Sequence, residues 1–221
     1  MVELALPNLR ELYWEPQRRL HLSYAKRQDD LEMQLLRSLV GKKLDKLEIL
    51  EDANQVDPIP SRDHNVHQLT EELVIASRDV KHMFLFFMVD ARVFFEICRP
   101  EWNWERLESL QLTSSLLDPP SDTNSMLQRA DYTNNMLERA GTVARKMPKL
   151  QSMMLRSAVR ENAGVFQYRA PAAWDRPGMI AWRASWPLEI ERRVVDAWTP
   201  VAAQREVCRQ PLKVCCRVLP W

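Results

Sequence analysis

The sequence predicts an α/β fold: an irregular leucine-rich-repeat-like curved stack, mainly parallel sheet, with helices on one side and an aromatic C-terminal cap. Three observations carry this expectation. A six-residue strand template recurs along the chain, helical stripes stand between its copies, and only 4 of 221 residues are glycine.

The template is apolar-x-x-apolar-x-apolar. It occurs at Leu9-x-x-Leu12-x-Trp14, Leu44-x-x-Leu47-x-Ile49, Phe84-x-x-Phe87-x-Val89, Leu107-x-x-Leu110-x-Leu112 and Leu150-x-x-Met153-x-Leu155. Its last two apolar residues are two apart, so they share one side of a strand. Its first apolar residue lies where the chain turns into that strand. The spacing between copies is irregular, which excludes a strict solenoid.

Helical stripes follow. Asp29 to Val40 carries Leu31, Leu35, Leu36 and Leu39, with Gly41 placed as a left-handed C-cap. Asn65 with Gln68 reads as a capping box for a helix that turns Leu69, Leu73 and Val74 inward. Thr123 opens the longest helix, with Met126, Ala130, Leu137, Ala140, Ala144 and Met147 on one face, stopped by Pro148. The apolar run Met83–Ile97 fits either a strand or a buried helix. Strand then helix, repeated, predicts a parallel sheet with helices packed on it.

The C-terminal third differs. Phe166 and Tyr168 share one strand face, and Ile180, Trp182 and Ala184 another, with Pro177-Gly178 as a turn signal. This predicts an antiparallel hairpin, then a helix over Leu188–Trp198 disturbed by Pro200, then a strand with Leu212, Val214, Cys216 and Val218 alternating. Four of the eight tryptophans fall in residues 174–198, and large rings there are expected to cap the stack. The organisation read from this is a repeat region over residues 1–160 and a Trp-rich capping region of the same domain over residues 161–221.

Composition narrows the function. The isolated glycines leave no phosphate-cradling or nucleophile-elbow motif. Cys98, Cys208, Cys215 and Cys216 match no zinc spacing, and His64-x-x-His67 reads as surface histidines. No cofactor, metal site or catalytic set is expected. Net charge is +1, but residues 1–110 carry 15 basic and 20 acidic side chains while residues 111–221 carry 16 and 10. That is a mild dipole along the chain, with neither nucleic acid nor membrane expected as a partner. The absence of a secretory signal and of paired-looking cysteines points to an intracellular protein, cytoplasmic or nuclear.

If the template holds, the residues between its inward positions line an exposed face. Tyr13, Glu48, Phe86, Met88, Gln111, Met154 and Arg156 are the expected partner-binding set. Phe86 and Met88 form its apolar centre, between an acidic and a more basic end.

Several stretches carry a resemblance. They are LPNLRELYWEP (6–16), LEILEDANQ (47–55), WERLESL (104–110), ARKMPKL (144–150) and RVVDAW (193–198). In this order they resemble the C-terminal repeat region of a large family of filamentous-fungal F-box-like proteins. The resemblance covers most of the chain. It implies a protein-interaction role in a ubiquitin-ligase adaptor, with no enzymatic activity. It departs from the family where the F-box should precede the repeats: residues from Leu9 read as a strand, so the chain looks N-terminally truncated. A ligase core subunit is then a partner only if an upstream F-box exists. The alternatives are a structural scaffold unrelated to ubiquitin and an enzyme without a recognisable motif.

Overall fold

Alternating burial along the central strands sorts the sheet into a covered and an uncovered face. The computed structural model describes residues 8–16, 22–51, 66–120, 122–157, 164–173, 175–205 and 210–219. Its strands are β1 (Glu11–Trp14), β2 (Lys46–Leu50), β3 (His82–Asp90), β4 (Ser109–Ser114), β5 (Ser152–Ser157), β6 (Val165–Arg169), β7 (Met179–Ala184) and β8 (Lys213–Val218). They form one open eight-stranded sheet in chain order. Strands β1 to β5 run parallel, β6 is antiparallel to both β5 and β7, and β8 is parallel to β7. The helices are α1 (Leu22–Leu39), α2 (Val66–Ser77), α3 (Ala91–Ile97), α4 (Thr123–Ala144) and α5 (Arg192–Ala203). The expected α/β class and mainly parallel sheet are therefore present.

Register aligns the template copies. Leu12, Leu47, Met83, Leu110 and Met153 form one cross-strand row, and Trp14, Ile49, Leu85, Leu112 and Leu155 the next. From β2 to β5 both rows are buried against Leu36, Leu39, Leu73, Leu137 and Ala140 of the helices. The third copy is displaced from its expected place. Val80-x-x-Met83-x-Leu85 is the aligned one, and all three side chains are fully buried. The run from Met83 to Val89 is apolar on both faces, so its alternation carries no parity. The same run resolves into β3, with α3 following immediately.

Helix α1 begins earlier than expected and stops just before Gly41, which takes φ +77° as a left-handed cap. Leu31 is 58% exposed. It precedes buried Leu36 by five residues, about 140° around the helix, and so leaves the stripe. Helix α4 is capped by Asp122, whose carboxylate accepts from the Ser125 amide at 2.8 Å. It ends ahead of Pro148 as expected. Helix α5 starts four residues later than expected and continues through Pro200. Proline removes the amide that would bond the Asp196 carbonyl. Arg145, the C-cap of α4, donates to that carbonyl instead, and to the Ala197 carbonyl, both at 3.4 Å. Asn65, His64, Trp174 and Cys208 lie outside the described residues.

The tryptophans fill the interior beneath β6 and β7. Trp182, Trp186 and Trp198 are buried, and their indole N–H groups donate to the carbonyls of Trp186, Leu117 and Leu137. Close approach here requires glycine twice. A Cβ on Gly141 would stand 2.9 Å from the Trp198 indole, and one on Gly164 2.3 Å from the Leu117 carbonyl oxygen.

Tyr168 stacks at 4.8 Å on Trp198, and its buried hydroxyl finds no hydrogen-bond partner among the described residues. Burial pushes its pKa from 10.0 up to about 12. The folded state therefore retains the phenolic proton over a range in which the unfolded chain has lost it. Stability is unaffected below pH 10 and falls as pH rises from 10 towards 12, by on the order of 2 kcal/mol for this group. Tyr168→Phe is expected to raise stability at neutral pH by up to about 1 kcal/mol, because it removes an unsatisfied hydroxyl. It should also flatten the alkaline decline. Denaturant unfolding of both proteins at pH 7 and pH 11 checks this, and a variant less stable than wild type at both pH values refutes it.

Candidate functional site

The uncovered face carries the residues between the buried rows. On it Tyr13, Glu48, Phe84, Gln111, Met154, Gln167, Ala181 and Cys215 lie in one cross-strand row. Beside that row, Arg156, Val165, Arg183 and Arg217 align across β5 to β8.

A bulge in β3 shapes the centre of this face. Leu85 pairs with Leu112, but the next pair is Asp90 with Thr113, so Phe86 to Val89 intervene without partners in β4. Phe87 takes φ +63°, a left-handed conformation that costs a non-glycine residue about 1–2 kcal/mol. Hydrogen bonds hold it there. The Phe87 amide donates to Thr113 Oγ1 at 2.9 Å, and the Phe86 carbonyl accepts from the Glu51 amide at 3.0 Å. Asp90 closes the bulge, accepting from the amides of Arg92 and Ser115 and the hydroxyls of Ser114 and Ser115, all within 2.9 Å.

The bulge inverts the strand's parity. Phe86 and Phe87 both line a hollow on the open face, whereas Met88 and Val89 turn into the core. This corrects the expectation for Met88, which is 3% exposed and contributes nothing to the surface. The hollow, about 660 Å³, runs from Leu50 to Leu219. Phe86, Phe87, Met154 and Val165 give it an apolar floor, and Arg156, Arg169 and Arg183 a basic rim. Arg156 stacks its guanidinium 5.6 Å from the Phe86 ring centre and donates to the Met154 sulfur at 3.1 Å. Among the described residues the lining holds no carboxylate, histidine or cysteine.

The structure therefore brings together three of the expected residues, Phe86, Met154 and Arg156. Gln111 and Glu48 lie in the same cross-strand row as Met154 but outside the lining of the hollow. Glu48 accepts from Lys46 at 2.6 Å and holds the lysine pKa above its usual value, and the Lys46 ammonium also sits 5.4 Å from the Phe84 ring centre. Tyr13 stands at the far edge, 59% exposed. Sequence reasoning missed Phe87, Val165, Gln167, Arg169 and Arg183. The last four were within reach, as the outward neighbours of Phe166, Tyr168 and Trp182.

A second cavity of about 510 Å³ lies against α3 and α4, lined in part by Cys98, Trp104, Glu138 and Arg139. Its cysteine is chemically quiet. The thiol donates to the Phe94 carbonyl at 3.3 Å, and burial pushes its pKa up to about 12.

The left-handed residue gives a direct test of the bulge. Phe87→Val is expected to cost at least about 1 kcal/mol more than Phe87→Asn, although valine is the more apolar, because a β-branched residue tolerates positive φ poorly. Chemical denaturation of both variants measures the difference, and equal or reversed stabilities would show that the bulge does not constrain this backbone.

Among the described residues no helix is long and apolar enough to cross a membrane. No curated protein and no solved structure matches the chain. The family of unknown function DUF6546 matches residues 31–219, a span reaching from α1 through the hollow to the residue after β8, and the chain belongs to that family.

Proposed function

We propose that the chain is a non-enzymatic protein-interaction module that grips its target with the open face of the sheet. The hollow over β3 to β6 carries this reading: an apolar floor ringed by cationic side chains is the composition of a partner-binding hot spot. Support for a non-enzymatic role comes from the lining. Among the described residues nothing in it supplies the general base or nucleophile–base pair that acyl or glycosyl transfer needs. The leucine-rich-repeat-like curvature and the role of target-binding region in a ubiquitin-ligase adaptor belong to the same proposal, and the sequence resemblance supports them. The scaffold alternative assigns the open face no specific partner.

Crosslinking and affinity capture with the full chain separate these readings. Wild type is expected to recover one or a few proteins, with recovery falling at least roughly tenfold for Phe86→Asp, which places a charge at a hot-spot position. Co-recovery of a ligase core subunit supports the adaptor role. Captured proteins that are indifferent to Phe86→Asp would refute binding through the hollow.

A further inference from the structure

The last strand has properties that the hollow does not use. Every residue of β8 is exposed, on both faces. On the helix side Val214 is 41% and Val218 52% exposed, and no helix among the described residues covers them; Cys216 between them meets the Ile190 backbone. On the open side stand Lys213, Cys215 and Arg217. Among the described residues the outer edge of β8 pairs with no other strand, which leaves a row of backbone donors and acceptors free.

Among the described residues its charges face no carboxylate. Arg156, Arg169, Arg183, Lys213 and Arg217 lie on the open face of β5 to β8, and that face has no carboxylate in these four strands. Arg183 stands directly opposite Arg217. Like charges opposite one another on neighbouring strands are destabilising. An anion beside Arg217 would relieve that repulsion.

These features disfavour a second copy of this chain with the two strands centred on one another. Residues opposite each other in a strand pair share a face. Two β8 strands joined antiparallel with their faces matched would set Lys213 against Arg217 and Cys215 against Cys215. Joined in parallel, they would set each cation against itself. A one-residue shift avoids the clash but pairs Lys213 with Val218 and joins the open face of one copy to the helical face of the other. Edge cations of this kind are a known device against self-pairing.

We propose that β8 accepts, as a ninth strand, an extended segment of a partner protein in which acidic and apolar residues alternate. Its backbone completes the free edge of the sheet. Its carboxylates face Lys213 and Arg217, and its apolar residues cover Val214 and Val218. Strand addition takes affinity from main-chain bonds and specificity from alternate side chains, and here the two faces of β8 state both requirements. A polyanion such as nucleic acid would satisfy the cations but would leave the valine row and the strand edge unpaired. This surface adjoins the hollow at Arg183 and Leu219, but no residue of β8 lines the hollow.

Selection from a random display library of peptides roughly 12 residues long, on the immobilised full chain in reducing buffer, tests the idea. Polarisation titration of the selected peptides at about 0.15 M salt then gives affinities. Enrichment of alternating Asp/Glu and apolar residues is expected, with slowed hydrogen exchange at Lys213 to Val218 on binding. The double variant K213E/R217E should weaken these peptides by at least about tenfold and gain affinity for copies carrying Lys in place of the acids. Arg217→Gln, the gentler change, should give a smaller loss. Phe86→Asp should leave peptide affinity within about twofold, so the failure of this proposal and of the hollow are told apart. No enriched peptide, enrichment without acidic alternation, or tighter binding of a single-stranded DNA 12-mer than of the peptides would each overturn the proposal. So would a concentration-dependent dimer, seen in sedimentation, that the double variant abolishes.

Discussion

Asp90 fixes the geometry on which the open face depends. Its two carboxylate oxygens take four hydrogen bonds, from the first turn of α3 and from Ser114 and Ser115 at the end of β4. One end of the β3 bulge is thereby tied both to the helix that follows it and to the neighbouring strand. Thr113 ties the middle through the Phe87 amide. Between these anchors the backbone has no ladder partner in β4, so a left-handed phenylalanine survives that neither propensity nor packing would choose. The outcome is a sheet whose helix side keeps an unbroken apolar lining through Met88 and Val89, while two phenyl rings are left on the side that no helix covers.

That division follows from connectivity. Parallel neighbours in chain order need a crossover each, and crossovers of one hand all fall on one side of the sheet. The helical cover then runs out where the connections change. β6 and β7 are joined by a short antiparallel link that brings no helix, and α5 reaches back to pack against α4. Arg145 and Asn134 secure that packing. Asn134 donates to the Glu189 carbonyl and accepts from the Glu191 amide, so the segment entering α5 is held to α4 and meets β8 at Cys216, through the Ile190 backbone. The bare valine row of the last strand is the counterpart of this docking.

Much of this architecture was legible because burial on one face of a strand imposes a period of two. Wherever a strand was apolar on one side alone, as in β2, β4 and β5, the template found both the strand and its inward residues. Where both sides were apolar, as in β3, the template found the strand but placed its copy four residues late, and Met88 was assigned to the wrong face. Bulges leave no composition signal. The residues that set this one, Thr113 and Asp90, are 23 positions apart in sequence and meet through strand pairing alone. Helix α5 shows another limit. Pro200 signals an end, yet the helix passes through it because an arginine capping a different helix supplies the missing donor. The candidate site was half legible for the same reason: Phe86, Met154 and Arg156 follow from alternation, whereas Phe87 follows from the bulge.

The charge asymmetry of the sequence acquires a place in the fold. Part of it lies on one open face, with Glu11, Glu15 and Glu48 at or beside β1 and β2 and five cations across β5 to β8. Glu48 is already engaged by Lys46, which leaves fewer free carboxylates at one end than free cations at the other. Two copies laid face to face would therefore not neutralise each other. The surplus lies beside the strand that has an unpaired edge and exposed side chains on both faces. Charge, edge and uncovered valines converge on β8, and an acidic strand from another protein is the one occupant that answers all three.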